Sequence, residues 1–122
     1  MIWKFTGDRP VYQQIVCAIQ GAVLSGEYPP GSRIPSVRDL AAEARVNPNT
    51  MQRALMELEH QNILVGSGTS GRWVTDDEEV LRQVRTQRLT ELARECAARF
   101  AAFGISPRQA AQRIAALEEE EE

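Results

Sequence analysis

No run of apolar residues in this chain approaches the ~20 that a membrane-spanning helix requires. No basic stretch followed by an apolar one opens it, so no signal peptide is expected. Cysteine is scarce: Cys17 and Cys96 stand far apart within apolar helical patterns, which suits small buried thiols rather than a disulfide framework. The single histidine, His60, gives no basis for a His/Cys metal site. No nucleophile–base pair is evident either, so neither an enzyme nor a cofactor is expected. Together these absences predict a cytoplasmic, non-catalytic protein with no membrane partner.

Positive charge is also in short supply. The net charge is −3, which argues against broad attraction to nucleic acid. Its distribution softens the objection. Residues 1–75 carry seven Lys or Arg against six acids, whereas residues 76–122 carry seven Arg against eleven acids. Five of those acids form the terminal run Glu118–Glu122, expected to be a disordered, solvated tail.

What is present falls into a readable order. Ile2-Trp3-Lys4-Phe5 alternates apolar and polar residues, which suits a short strand or an arm that packs Trp3 on the body. From Pro10, the residues Tyr12, Ile15, Val16, Ile19, Ala22 and Val23 recur at helical steps until Gly26 stops the pattern. Ser36 can cap the next helix, with Asp39 three residues on as the reciprocal partner. Its apolar face is narrow, made of Leu40, Ala41 and Ala44. Arg45 and Val46 form a tight turn. Asn47 is a strong N-cap, and Pro48 is tolerated at a first helical position because its missing N–H would be unpaired there anyway. In the helix that follows, to about Gln61, Met51, Ala54, Leu55 and Leu58 share a core face. Asn49, Gln52, Arg53 and Met56 point away from it. Asn62 suits the left-handed residue that ends such a helix.

Ile63-Leu64-Val65 and Arg72-Trp73-Val74-Thr75 read as a hairpin, with Gly66 to Gly71 as its loop. That loop is not a phosphate-binding loop: no Lys-Ser/Thr ends it, and a strand rather than a helix follows. Two helices joined by a tight turn with a hairpin behind them are the order of a winged helix-turn-helix. The predicted fold is therefore mainly α with a small β-hairpin, a winged helix-turn-helix over residues 1–76 followed by a short two-helix dimerisation region over 77–117. Val80, Leu81, Val84, Leu89, Leu92, Ala93, Cys96, Phe100 and Phe103 trace an apolar stripe up to Gly104. Ser106 then caps a last helix lined by Ala110, Ile114 and Leu117. Two helices have little to bury such stripes against, so a second copy of the chain is the expected cover, through Leu81, Val84, Leu89, Leu92, Cys96, Phe100, Phe103 and Ile114.

Three segments carry a resemblance to a known family: Pro10-Val11-Tyr12-Gln13-Gln14-Ile15, Pro30-Gly31-Ser32-Arg33-Ile34-Pro35-Ser36-Val37-Arg38-Asp39-Leu40-Ala41, and Val46-Asn47-Pro48-Asn49-Thr50. They resemble the GntR family of bacterial transcription regulators, and the last of them resembles its YtrA subfamily in particular. Many family members have Arg where this chain has Pro48, and Gly68 and Gly71 are spaced one residue wider than is common in the wing.

The resemblance implies a homodimeric repressor at a palindromic operator, in the setting of its own operon and an ABC-type transporter. It also implies that Arg38 and the start of the Pro48 helix reach DNA. Chemistry agrees with that placement. Asn49 and Gln52 match adenine edges, while Arg38 and Arg53 match guanine or phosphate. Ser36 and nearby helix N–H groups suit phosphate. Asn47 is first a cap and Thr50 lies in the same turn. Gly68, Ser70 and Gly71 are the candidate wing contacts. Only about forty-five residues follow the wing, too few for a separate effector domain; a small-molecule effector between the C-terminal helices remains open. The other class of function is a winged-helix protein-interaction module, in which the Asn49–Arg53 face meets an acidic partner instead of DNA.

Overall fold

The periodic segments become five helices and one two-stranded antiparallel sheet in the structure, a computed structural model that describes residues 1–67 and 71–120. In chain order they are α1 (Val11–Leu24), α2 (Val37–Ala44), α3 (Pro48–His60), β1 (Leu64–Ser67), β2 (Gly71–Val74), α4 (Glu78–Ala101) and α5 (Pro107–Glu120). The chain divides into two compact units, Met1–Arg82 and Gln83–Glu122, a division that falls a little beyond the expected one after residue 76.

The first unit closes around α3, against which α1, α2 and β1 all pack. Met51, Ala54, Leu55 and Leu58 are its buried face, the four residues that the helical wheel selects. They meet Ile15 and Ile19 of α1, Leu40 and Ala41 of α2, and Ile63, Leu64 and Val74 in one apolar core. Helix ends obey local rules. The Asp39 N–H donates to Ser36 Oγ (3.1 Å), and the Asn49 N–H donates to Asn47 Oδ1 (2.8 Å). The return bond from Ser36 N–H to the Asp39 carboxylate is not made, so α2 has half of the expected reciprocal cap. Both α2 and α3 end on a non-glycine residue in the left-handed region, Arg45 (φ 58°) and Asn62 (φ 62°). In each case the next N–H reaches back five residues, Val46 to the Ala41 carbonyl and Ile63 to that of Leu58, both at 3.0 Å.

For residues 2–5 the arm holds over the strand, and one further expectation for this unit needs correction. Residues 2–5 form no strand. The alternation is real, since Trp3 and Phe5 are half-buried while Ile2 and Lys4 are exposed, but it belongs to an arm packed on the body. Gln14, buried in α1, tethers the arm's far end: its amide accepts from Thr6 N–H and donates to the Thr6 and Arg9 carbonyls, all within 2.9 Å. The hairpin loop is also shorter than expected. Gly66, Ser67 and Gly71 belong to the strands, with Gly66 opposite Arg72 and Ser67 opposite Gly71. A side chain at Gly66 would collide with the Gly71 carbonyl, so this glycine serves strand pairing rather than the turn. The stretch before α2 joins the sheet as well. Ile34 N–H donates to the Arg72 carbonyl (3.0 Å) and Val74 N–H to that of Ser32 (2.8 Å), with Arg33 bridged to Trp73.

The second unit differs in kind. No residue of α4 is buried, and in α5 only Ala110 is. Asp77 caps α4, accepting from Glu79 N–H (3.0 Å). Ser106 and Gln109 cap α5 reciprocally, at 3.2 and 2.9 Å. Gly104 (φ 75°) stands between the helices, as expected. Glu118–Glu120 of the acidic run continue α5, since nothing in Ala115-Ala116-Leu117-Glu118 breaks a helix, while residues 121 and 122 lie outside the described part.

Candidate nucleic-acid interface

The caps that start α2 and α3 leave their first turns in solvent, and this is where most candidate residues stand. Ser36, Arg38, Asn47, Asn49 and Arg53 are exposed, and Thr50 and Gln52 are half-buried. Because Pro48 has no N–H and Asn47 takes that of Asn49, the first turn of α3 has few backbone donors to offer and presents mainly side chains. Asn49 and Gln52 share the outward side of that turn. Met56 and His60 are also exposed, further along the helix.

Two arginines, Arg53 within α3 and Arg33 ahead of α2, are each held by an aromatic ring. The Arg53 guanidinium carbon lies 3.8 Å from the centroid of the Tyr12 ring in α1. That of Arg33 lies 5.5 Å from the Trp73 ring centroid in β2. Both distances are within cation–π range. The Arg33 head also crosses Gly71: a Cβ there would stand 2.7 Å from Arg33 Nε, and the glycine's φ of 99° disfavours any side chain. Gly71 thus gives the arginine its bed on the wing. Gly68 and Ser70, the other expected wing contacts, lie outside the described residues.

A third arginine is spent internally. Arg72 is buried and pairs with Glu59 of α3 through a short Nε–Oε1 contact, which ties the wing to α3. Arg33, Arg38, Arg45 and Arg53 keep exposed positions, so the face has local positive charge in a protein that is acidic overall. Arg33, Tyr12 and Trp73 were not among the residues expected to act. Arg33 sat in a recognised segment, but only the isolated bridge between Arg33 and Trp73 brings it over that ring.

Residues 11–74, just over half the chain, match the family described as "Bacterial regulatory proteins, gntR family". The chain belongs to that family. This GntR protein is 30% identical over 89 residues to the HTH-type transcriptional regulator YhcF of Bacillus subtilis (strain 168), covering 73% of this chain and 74% of the relative. It is 35% identical over 70 residues to the HTH-type transcriptional repressor YtrA of the same organism, covering 57% of this chain and 54% of YtrA. The match therefore spans about three quarters of the first relative's length and about half of the second's. A GntR family transcriptional regulator from Listeria monocytogenes has the same fold, with a TM-score of 0.79 at 30% identity over 94% of this chain and 98% of that one. The winged helix-turn-helix and the YtrA-like character read from the residues both hold, and these relatives are transcriptional regulators rather than enzymes.

In the second unit, Leu89, Leu92, Phe103 and Ile114 are exposed, Phe103 by 85%. Val84, Cys96 and Phe100 are half-buried, as is Leu81, which falls in the first unit. Leu92, Glu95, Cys96, Arg99, Phe100 and Phe103 line an open groove of about 440 Å³. No described helix is long and apolar enough to cross a membrane.

Proposed function

We propose that this GntR protein is a sequence-specific, homodimeric repressor of a palindromic operator, and that its targets include its own operon and an ABC-type transporter. The observation that carries the reading is the exposed first turn of α3, with Asn49 and Gln52 outward, Arg38 on the adjoining helix, and Arg53 and Arg33 each braced on an aromatic ring. α3 enters the major groove. Asn49 and Gln52 read base edges, Arg38 takes a guanine or a phosphate, and Ser36 takes a phosphate. Asn47 serves mainly as the cap and Thr50 supports that turn. On the wing, Arg33 on its Gly71 bed joins the expected contacts at Gly68 and Ser70 in gripping the sugar–phosphate backbone. The name given to the relative YtrA, a transcriptional repressor, supports the sign of regulation.

The second copy covers the face of Leu81, Val84, Leu89, Leu92, Cys96, Phe100, Phe103 and Ile114. Its support is that α4 buries nothing within one chain. Selection of duplexes from a random library by the full chain tests the reading, paired with light scattering. Enrichment of an inverted repeat by a dimer is the expected result. Failure to enrich any sequence, with the Asn49–Arg53 face instead retaining an acidic protein, would replace it with the protein-interaction reading.

A further inference from the structure

Arg53 stands one turn before Glu57 on α3, a spacing at which a surface arginine and a glutamate ordinarily pair. They do not pair here. Glu57 accepts from Gln61 Nε2 (3.1 Å), and Gln61 in turn accepts from Gln20 Nε2 of α1 (2.8 Å). Arg53 turns the other way, onto Tyr12, and makes no ion pair with a described carboxylate. Its charge is left uncompensated while its position is set by the ring. A guanidinium stacked on a ring face keeps its in-plane N–H groups free. The Tyr12 hydroxyl accepts from Gln13 Nε2 (3.3 Å), so what Tyr12 offers Arg53 is the face of its ring. Arg53 thus offers guanidinium donors held on a ring face, with no ion pair to a described carboxylate.

We propose that Tyr12 is a positioning residue for DNA recognition: its ring holds the Arg53 guanidinium beside α3, directed at a phosphate of the duplex rather than at a base. This rests on the DNA-binding reading above. Base edges are reached from the first turn of a recognition helix, where Asn49 stands, whereas Arg53 lies further along and is drawn sideways to α1. The stack orders a long side chain before DNA arrives, which lowers the entropic cost of the contact.

The test measures affinity of the full chain for a duplex it has selected from a random library and for a scrambled duplex of equal length, across a salt series. Thermal melting normalises each value to folded protein. Tyr12→Phe is expected to bind as the parent does. Tyr12→Leu and Arg53→Ala are expected to weaken both duplexes by about tenfold and to reduce the salt slope by about one. The double variant should be no weaker than Arg53→Ala alone. The proposal is overturned if Arg53→Ala weakens only the selected duplex with the slope unchanged, if Tyr12→Leu keeps the parent's affinity and slope, or if the two losses add in full. Should Tyr12→Leu fail to fold, Tyr12→Gln, which also removes the ring, takes its place with the same expected and overturning results. A parent chain that selects no duplex removes the DNA-reading function itself, an outcome distinct from a binding parent with indifferent variants.

Discussion

α3 and α4 both carry apolar side chains at three- and four-residue steps, yet one buries four of them and the other none. The difference is one of available partners. Around α3 the chain supplies α1, α2 and a strand, so a four-residue apolar face is sealed within 82 residues. Within the second unit the described residues offer α4 one further helix, and Leu89 and Leu92 stay 57% and 60% exposed. A helix whose face is closed by its own chain is free to turn its other side to a ligand. A helix whose face stays open leaves room for the second copy proposed above.

Core truncation should separate the two most sharply. Leu55→Ala removes a fully buried side chain from α3 and should cost about 3 kcal/mol in a denaturant titration. The same change at Leu92, being exposed, should cost a folded single chain less than about 0.5 kcal/mol. Equal losses at the two sites would erase the distinction.

Leu92→Glu inverts the test. It should leave the winged unit folded and the protein monomeric, with operator affinity about a hundredfold lower because two half-sites no longer act together. Light scattering and gel shift on the same sample report both effects. A Leu92→Glu dimer would place the interface elsewhere.

Next in size is the tie between wing and reading helix. Glu59→Ala leaves Arg72 buried without its partner and should cost roughly 2 kcal/mol. Arg33→Ala should leave melting unchanged and weaken DNA binding by about 1 kcal/mol. Gly71→Ala should do both, since a Cβ strains the backbone at φ 99° and displaces the Arg33 head. Loss of stability without loss of affinity per folded molecule in Gly71→Ala would confine that glycine to the hairpin.

The smallest expected effect is a gain. Arg45→Gly should stabilise the first unit by about 0.5–1 kcal/mol, because the left-handed residue ending α2 would carry no Cβ. Urea unfolding is sensitive enough to see it.

Much of this was legible in the residues because it depends on short-range rules. The caps at Ser36, Asn47 and Ser106, the left-handed Asn62 and the core face of α3 each follow from neighbours within a turn or two. Ser36-Val37-Arg38 and Asn47-Pro48-Asn49-Thr50 marked the candidate reading face for the same reason. The rest depended on pairings across the chain. Nothing near Arg53 announces that it passes over Glu57 for Tyr12, forty-one positions earlier, and nothing near Arg33 announces Trp73. The alternation of residues 2–5 had the same cause in reverse: period-two burial also arises in an arm lying on a surface, and only a partner strand makes it a strand.

The most direct test of the central claim, that a dimer reads two half-sites through α3, is equilibrium binding of the full chain to its selected inverted repeat and to the same duplex with one half scrambled, at one fixed salt concentration. The account predicts a loss of about a hundredfold on the half-scrambled duplex, with half-site centres about 34 Å, or a multiple of that, apart. Equal affinity for the two duplexes would contradict it.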